Sequence, residues 1–567
     1  MDTQKLILFL IFSTSMLFLW EAWQKETRPT APVAAVAGGS AQSSGQHETP
    51  VPGEKLASQG AGVPSAENAV PTVPAKPGSL LESGEKIVVK TDLVTAEIDT
   101  AGGDLRRLEL LDQPDKEDKN KPFALLQSQY DHVYVAQAGM IGEGLPTHKT
   151  RYTAEPGTYS LVQGQDKMEV RLAAPESDGV QVTKIYTFHR GKYLIDVSFE
   201  VSNHRAVPVQ PFSYFQMLRD SKPPVGSFFM VPTYTGAAVY TEQDKFKKIE
   251  FSALDKGNAS YPKTADNGWI AMLQHYFLAA WLPKDKSPRE YYARRLGENQ
   301  YTAGVIVPVG TIEPGKTASV TVPLYAGPEE QSKLASVAPG LDLTVDYGWL
   351  TVIAAPLFWL LSLFFSWTGN WGVSVILLTM SVKLVFFPLS AAGYRSMAKM
   401  RLVTPKLQRL REQHGNDRQR MHQAMMEFYK AEKINPLGGC LPIAVQIPVF
   451  VSLYWVLLSS VELRYAPFAA WIQDLSSPDP YYVLPVIMGI SMFIQTKLSP
   501  PAADPIQAKV MQIMPLAFSV FFFFFPAGLV LYSLVNNVLS IAQQWQITRM
   551  IEGAAAAAAA SPASKKK

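Results

Sequence analysis

The chain has 567 residues, of which 47% are hydrophobic and 18% charged, with a formal net charge of +3. That balance suits neither a purely soluble protein nor a bare bundle of membrane spans, and the length permits several domains. The single cysteine, Cys440, excludes an intrachain disulfide, and no Gly-rich loop ending in Gly-Lys-Ser/Thr is present to cradle the phosphates of ATP.

Residues 6–20 form a short apolar run behind Lys5 that ends in Trp20 and is followed by Glu21 and Trp23. No small-x-small cleavage site follows directly, so residues 1–26 read as an uncleaved signal anchor whose tryptophans sit at the interface. Residues 27–79 are rich in Pro, Ala, Gly, Ser and Gln, which cannot bury enough surface to fold, and read as a disordered tether. Residues 80–340 then change to short strands. Tyr193, Ile195, Val197, Phe199 and Val201 alternate with mostly polar residues, as do Val94, Ala96 and Ile98, and Ala318, Val320, Val322 and Leu324. Many such runs with Gly, Pro, Asn and Asp between them predict an antiparallel β-sandwich. The apolar stretch 269–282 is too short to span a membrane, contains Gln274 and His275, and is expected to be a buried strand. His189, His204 and His275 lack metal-ligand spacing.

From residue 341 to 550 the chain reads as membrane protein. Residues 346–367 are apolar but carry Trp349, Trp359 and Trp367 and are interrupted by Pro356, which predicts a helix lying in the outer interface. Five hydrophobic helices follow, near 371–389, 437–461, 482–498, 510–525 and 527–548. Those at 482–498 and 510–525 reach at most about 26 Å, less than the roughly 30 Å hydrocarbon core, which favours local thinning of the bilayer. Residues 390–436 carry ten Lys/Arg against four acids, and the tail 551–567 ends in three lysines. Both are therefore cytoplasmic, and the β-domain is outside. Six spans, counting the anchor, put both termini inside.

Lys383 lies inside the first of the five helices. A charge at that depth costs roughly 2.5–3.5 kcal/mol and marks a functional site facing a wet cavity, unless the side chain snorkels to the headgroups. The neighbouring helices favour the site. Thr379 lies one turn before Lys383; Gln446, Ser491, Gln495, Gln512 and Ser519 stand on three other helices. Ser533, Asn536, Asn537 and Ser540 form one face of the last. Taken singly, each is ordinary interhelical glue; around one lysine, they predict a hydrophilic groove. No Asp or Glu lies deep in these helices to neutralise it.

The basic segment 390–436 reads as a helical hairpin broken near residues 414–417. Its methionines pack the hairpin or offer adaptable contact to apolar clients, with Met397, Met400, Arg401, Met425 and Met426 as candidate contact residues. Its ten basic residues suit lipid headgroups or ribosomal RNA.

The segments GNWGVSVILLTMSVKLVFFPLS, YRSMAKMRLVTPKLQRLRE, KINPLGGCLPIAVQIPVF, ELRYAPFAAWIQDLS and FPAGLVLYSLVNN resemble those of the YidC family, the bacterial membrane insertases of the Oxa/Alb type. The outer domain and VDYGWL are similar to the periplasmic domain of its Gram-negative members, which implies a β-supersandwich. The resemblance implies a multi-pass protein of the inner membrane that inserts and folds nascent membrane proteins, alone or with SecYEG and SecDF. It implies no enzyme activity, no cofactor, no metal and no DNA partner. It also implies a groove open to cytoplasm and lipid but closed to the outside, in which Lys383 and Thr379 match family positions. With the polar positions of the other helices, the expected client groove is made by Lys383, Thr379, Gln446, Gln512, Tyr532 and Ser533. The family usually has arginine where Lys383 stands, so bidentate carboxylate geometry is lost while the charge is kept. Two other readings are an ion-coupled transporter, which would want a deep carboxylate or an inverted repeat, and a tethered sugar enzyme based on the outer domain.

Overall fold

The computed structural model describes residues 64, 81–129, 132–154, 158–222, 234–414, 418–431, 441–498, 509, 513, 515, 517 and 519–560. The expected signal anchor 1–26, the tether 27–79 apart from residue 64, and Gln512 lie outside the described residues, as do residues 510, 511, 514, 516 and 518 of the stretch 510–525 and the last seven residues.

The alternating segments form two sheets packed face to face, one of ten strands and one of eight, almost wholly antiparallel. In Leu194–Asn203 every second residue is buried, because successive side chains point to opposite faces and only one face meets the other sheet. Phe215 of the larger sheet closes this interior against Phe199 and Trp281 of the smaller, with ring centroids 5.8 and 5.2 Å apart. The expected single strand over 269–282 is instead a hairpin, Trp269–Gln274 paired with Phe277–Trp281. Every residue of both strands is buried, which accounts for the unbroken apolar run. The two residues that interrupt it, His275 and Tyr276, make the turn, with Tyr276 at φ +72°. The sandwich also buries a lysine, Lys184, whose ammonium donates to the carbonyls of Ala138 (3.0 Å) and Gly102 (3.3 Å) and lies 4.0 Å from the Asp104 carboxylate.

The C-terminal part is helical. Helix α1 (Thr351–Thr368) ends at Gly369 in the left-handed conformation, and α2 (Trp371–Val385) starts at once, capped by Asn370 Oδ1 accepting from Val373 N. Stacking of Phe365 on Trp371 (4.1 Å) fixes this corner. Helix α3 (Phe387–His414) leaves α2 at an angle of 67°, with Pro388 in its first turn where a missing N–H does no harm. Helix α4 (Arg418–Ala431) folds back on α3. Then come α5 (Leu441–Ser459), α6 (Val483–Leu498) and α7 (Ala527–Ala560). At 1.5 Å per residue, α6 reaches only about 24 Å and α7 about 51 Å. The extra length of α7 runs alongside α3, where Arg401 meets Glu552 at 3.7 Å.

The loop between α5 and α6 ties the helices to the sandwich. Arg464 donates to Pro114 O (2.8 Å) and Gln113 Oε1 (3.3 Å), while its guanidinium lies about 5 Å from the rings of Phe123, Phe277 and Tyr465. Tyr465 donates to Asp115 O at 3.0 Å, and His275 Nε2 reaches Leu458 O at 2.9 Å. On the other side Glu462 accepts from Gln331 N at 3.1 Å. Between these anchors remains a cavity of about 520 Å³ lined from both sides.

Burial gives the two titratable anchors opposite signs. Burial raises Glu462 to about 7, with Glu330 adding to the rise and Lys333 opposing it. Burial lowers His275 to about 4, helped by the charges of Lys116 and Arg464. A raised carboxyl strengthens the contact below its free value of 4.5, and this strength is lost as pH rises toward 7. A lowered imidazole strengthens it above 6.5, and this is lost as pH falls toward 4. Between pH 4.5 and 6.5 the two nearly cancel. Glu462→Gln is therefore expected to leave a contact that tightens with rising pH, and His275→Asn one that loosens. Hydrogen exchange of the 461–466 amides, corrected for the intrinsic pH dependence, checks both slopes.

Candidate functional site

The last helix organises the polar residues of the core. On α7, Asn536, Asn537 and Ser540 stand on one side of the helix because positions four apart lie above one another. Each reaches a different neighbour. Lys383 of α2 donates from Nζ to Ser540 Oγ at 2.6 Å. Gln446 of α5 donates to Asn536 Oδ1. Asn537 donates from Nδ2 to Ser491 Oγ of α6 at 2.8 Å, and two turns on Gln544 donates to Leu498 O at 3.1 Å. Three helices are thus pinned to a fourth by side-chain amides and hydroxyls.

Lys383 is only 6% exposed. Its ammonium meets a neutral hydroxyl, and no acidic residue among those described is paired with it. A small cavity beside it is lined by Gln446, Ser390, Val382, Phe386 and Leu389 and holds about 10 Å³, close to the space of one water. Lys383 and Gln446, named from sequence, thus line one cavity. Thr379 is fully buried on α2, but its hydroxyl donates to Val375 O at 2.7 Å in its own helix. Ser533 does the same toward Leu529 O at 2.8 Å. Tyr532 is buried, with its ring 6.2 Å from Phe450 of α5. Ser540 and Asn536 were legible as part of a polar face; their direct partnership with Lys383 and Gln446 was not, since spacing along one helix says nothing of what stands opposite.

On the hairpin, Met400 of α3 and Met425 of α4 pack with Val403, Leu407, Phe428 and Tyr429 in a small core of their own. Met397 is half-buried, whereas Met426 and Arg401 are exposed. The Arg401–Glu552 pair, about half exposed on both sides, contributes little. Among the described residues no cluster of three or more His, Cys, Asp or Glu could hold a metal ion.

Two family descriptions match the chain: the YidC periplasmic domain over residues 86–360 and the 60Kd inner membrane protein over residues 363–554. The membrane protein insertase YidC of Nitrosospira multiformis is 79% identical over 566 residues, covering 98% of both chains. The chain belongs to the YidC family of membrane protein insertases. A second relative of that name, from Nitrosomonas europaea, is 63% identical and covers 97% of this chain and 91% of its own. A crystal structure of an active YidC insertase with its first transmembrane domain resolved aligns over 82% of this chain and 93% of its own, at 17% identity and a TM-score of 0.38. Within the family, the β-sandwich is the periplasmic domain and the helical part is the inner-membrane portion of an insertase.

The bonding pattern separates residues that join helices from those that do not. Asn537→Leu removes the tie between α7 and α6 and is expected to lower stability by about 0.6–1.7 kcal/mol, the range of hydrogen bonds within membranes. Ser533→Ala removes only a bond within its own helix and is expected to change stability far less. Unfolding midpoints in SDS titrations of bicelle-reconstituted protein check the contrast.

Proposed function

We propose that the protein inserts and folds nascent inner-membrane proteins by charge capture in a polar groove centred on Lys383, without covalent catalysis. The carrying observation is a buried ammonium whose partner is a hydroxyl rather than a carboxylate. Such a group attracts an anion from elsewhere, because a carboxylate satisfies it better than any neutral acceptor. An acidic residue on the client's translocated segment is drawn to Lys383 from the cytoplasmic side. Gln446, Thr379, Gln512, Tyr532 and Ser533 complete the walls. The client helix then leaves sideways along the apolar faces of α5 and of the stretch 510–525. About 20 apolar residues passing into lipid drive the step, and a membrane potential adds roughly 2.3 kcal/mol per charge per 100 mV.

The topology that serves this reading has six spans with both termini in the cytoplasm. Helix α1 lies in the outer interface, with Val352, Trp359 and Trp367 exposed. The shortness of α6 favours a thinned bilayer beside the groove, which shortens the polar segment's passage. The hairpin of α3 and α4 presents Met397, Arg401 and Met426 to clients and lipid headgroups, and its basic residues suit the ribosome. The Sec translocon, SecYEG with SecDF, is the partner for larger clients.

Lys383→Ala is expected to slow insertion of clients with acidic translocated segments by about tenfold, the effect of losing a hydrogen bond to a charged group. Clients with neutral segments should be slowed much less. Equal slowing of both in reconstituted vesicles would rule out charge capture.

A further inference from the structure

The hydroxyl that meets Lys383 is held in one role. Ser540 Oγ donates its only proton to Asn536 O at 2.7 Å, one turn back in α7. Toward Lys383, at 2.6 Å, it can therefore only accept. The Tyr394 phenol of α3 approaches the same oxygen, so Ser540 sits where three helices meet. Both Lys383 and Ser540 are buried, and the adjoining cavity has room for about one water.

We infer that Ser540 is a positioning residue for client capture: its hydroxyl stands in for the client carboxylate on Lys383 between rounds of insertion. This rests on the charge-capture reading above. A fully neutralised lysine would bind no client, whereas a lysine with no acceptor at all would hold its client too long. Ser540 lies between these limits. It offers one hydrogen bond without a charge, so an incoming carboxylate displaces it, and it takes the ammonium back when the client leaves. Affinity for acidic segments is thereby set by exchange of one acceptor for another and not by the full pull of an unsatisfied buried charge. A second consequence is geometric. Because Asn536 O fixes the hydroxyl and Gln446 fixes the Asn536 amide, the ammonium is returned to the same place after each round.

The test uses the full chain in proteoliposomes, with Lys383→Ala as control, and stalled clients that differ only in an acidic or a neutral translocated segment. Ser540→Ala is expected to increase photocrosslinking of the acidic client about five- to tenfold while lowering its multiple-round insertion rate. The neutral client should be unaffected in both assays. Ser540→Thr, which keeps a hydroxyl able to bond the same carbonyl, should restore wild-type behaviour. Ser540→Val, equal to threonine in volume but lacking the hydroxyl, should behave as Ser540→Ala, so a packing defect is told apart from a lost acceptor. Equal loss of capture for both clients in the alanine and valine variants, or no change in either, would overturn the role of Ser540. If Lys383→Ala discriminates between clients and Ser540→Ala does not, only the Ser540 inference falls. If Lys383→Ala itself fails to discriminate, the charge-capture reading falls and this inference with it.

Discussion

The hydrogen bond from the Lys383 ammonium to the Ser540 hydroxyl is the contact on which the membrane part of the structure turns. Removing a cation from water is tolerated only when other groups replace its hydration. The same chain shows both ways of doing this. Lys184, inside the sandwich, has two backbone carbonyls and the nearby carboxylate of Asp104. It is a neutralised strut with no capacity left for a visitor. Lys383 has a hydroxyl and a water-sized cavity. Its charge is held in place but not cancelled, and that difference separates a structural lysine from one suited to bind.

The surrounding helices make sense from that constraint. Polar side chains in hydrocarbon need partners, and α7 supplies them in turn to α2, α5 and α6. The bundle is therefore joined by directional bonds at the level of Lys383 and by apolar packing elsewhere. On the periplasmic side the loop after α5 is clamped to the sandwich by Arg464, which combines carbonyl contacts with three aromatic rings. The sandwich is thus no loosely hung appendage: it holds the outer end of α5, whose inner part carries Gln446, and the start of the loop that leads to α6.

Much of this was legible in the residues. Period-two alternation found the strands because each sheet has one face in the interior, as in Leu194–Asn203. It failed at 269–282, where both faces are covered and the alternation vanishes, so only the turn at His275-Tyr276 marks the corner. Lys383 stood out because a charge amid apolar residues is costly, and Gln446 because it interrupts an apolar helix. Thr379 and Ser533 looked alike in sequence, yet their hydroxyls return to their own helices, a choice that depends on what lies opposite. Arg464 was visible only as the single basic residue of an acidic loop. Its anchoring to Gln113 and Pro114, some 350 residues away, is a tertiary fact that no local pattern contains.

Charge capture requires that the cavity beside Lys383 communicate with cytoplasmic water and not with the periplasm. Labelling of a Gln446→Cys, Cys440→Ser variant with a membrane-impermeant maleimide tests this most directly, because the thiol reacts only where water ionises it. Labelling in inverted inner-membrane vesicles and none in spheroplasts is the predicted result. Labelling from the periplasmic side, or none from either side while an Arg395→Cys control reacts fully, would contradict it.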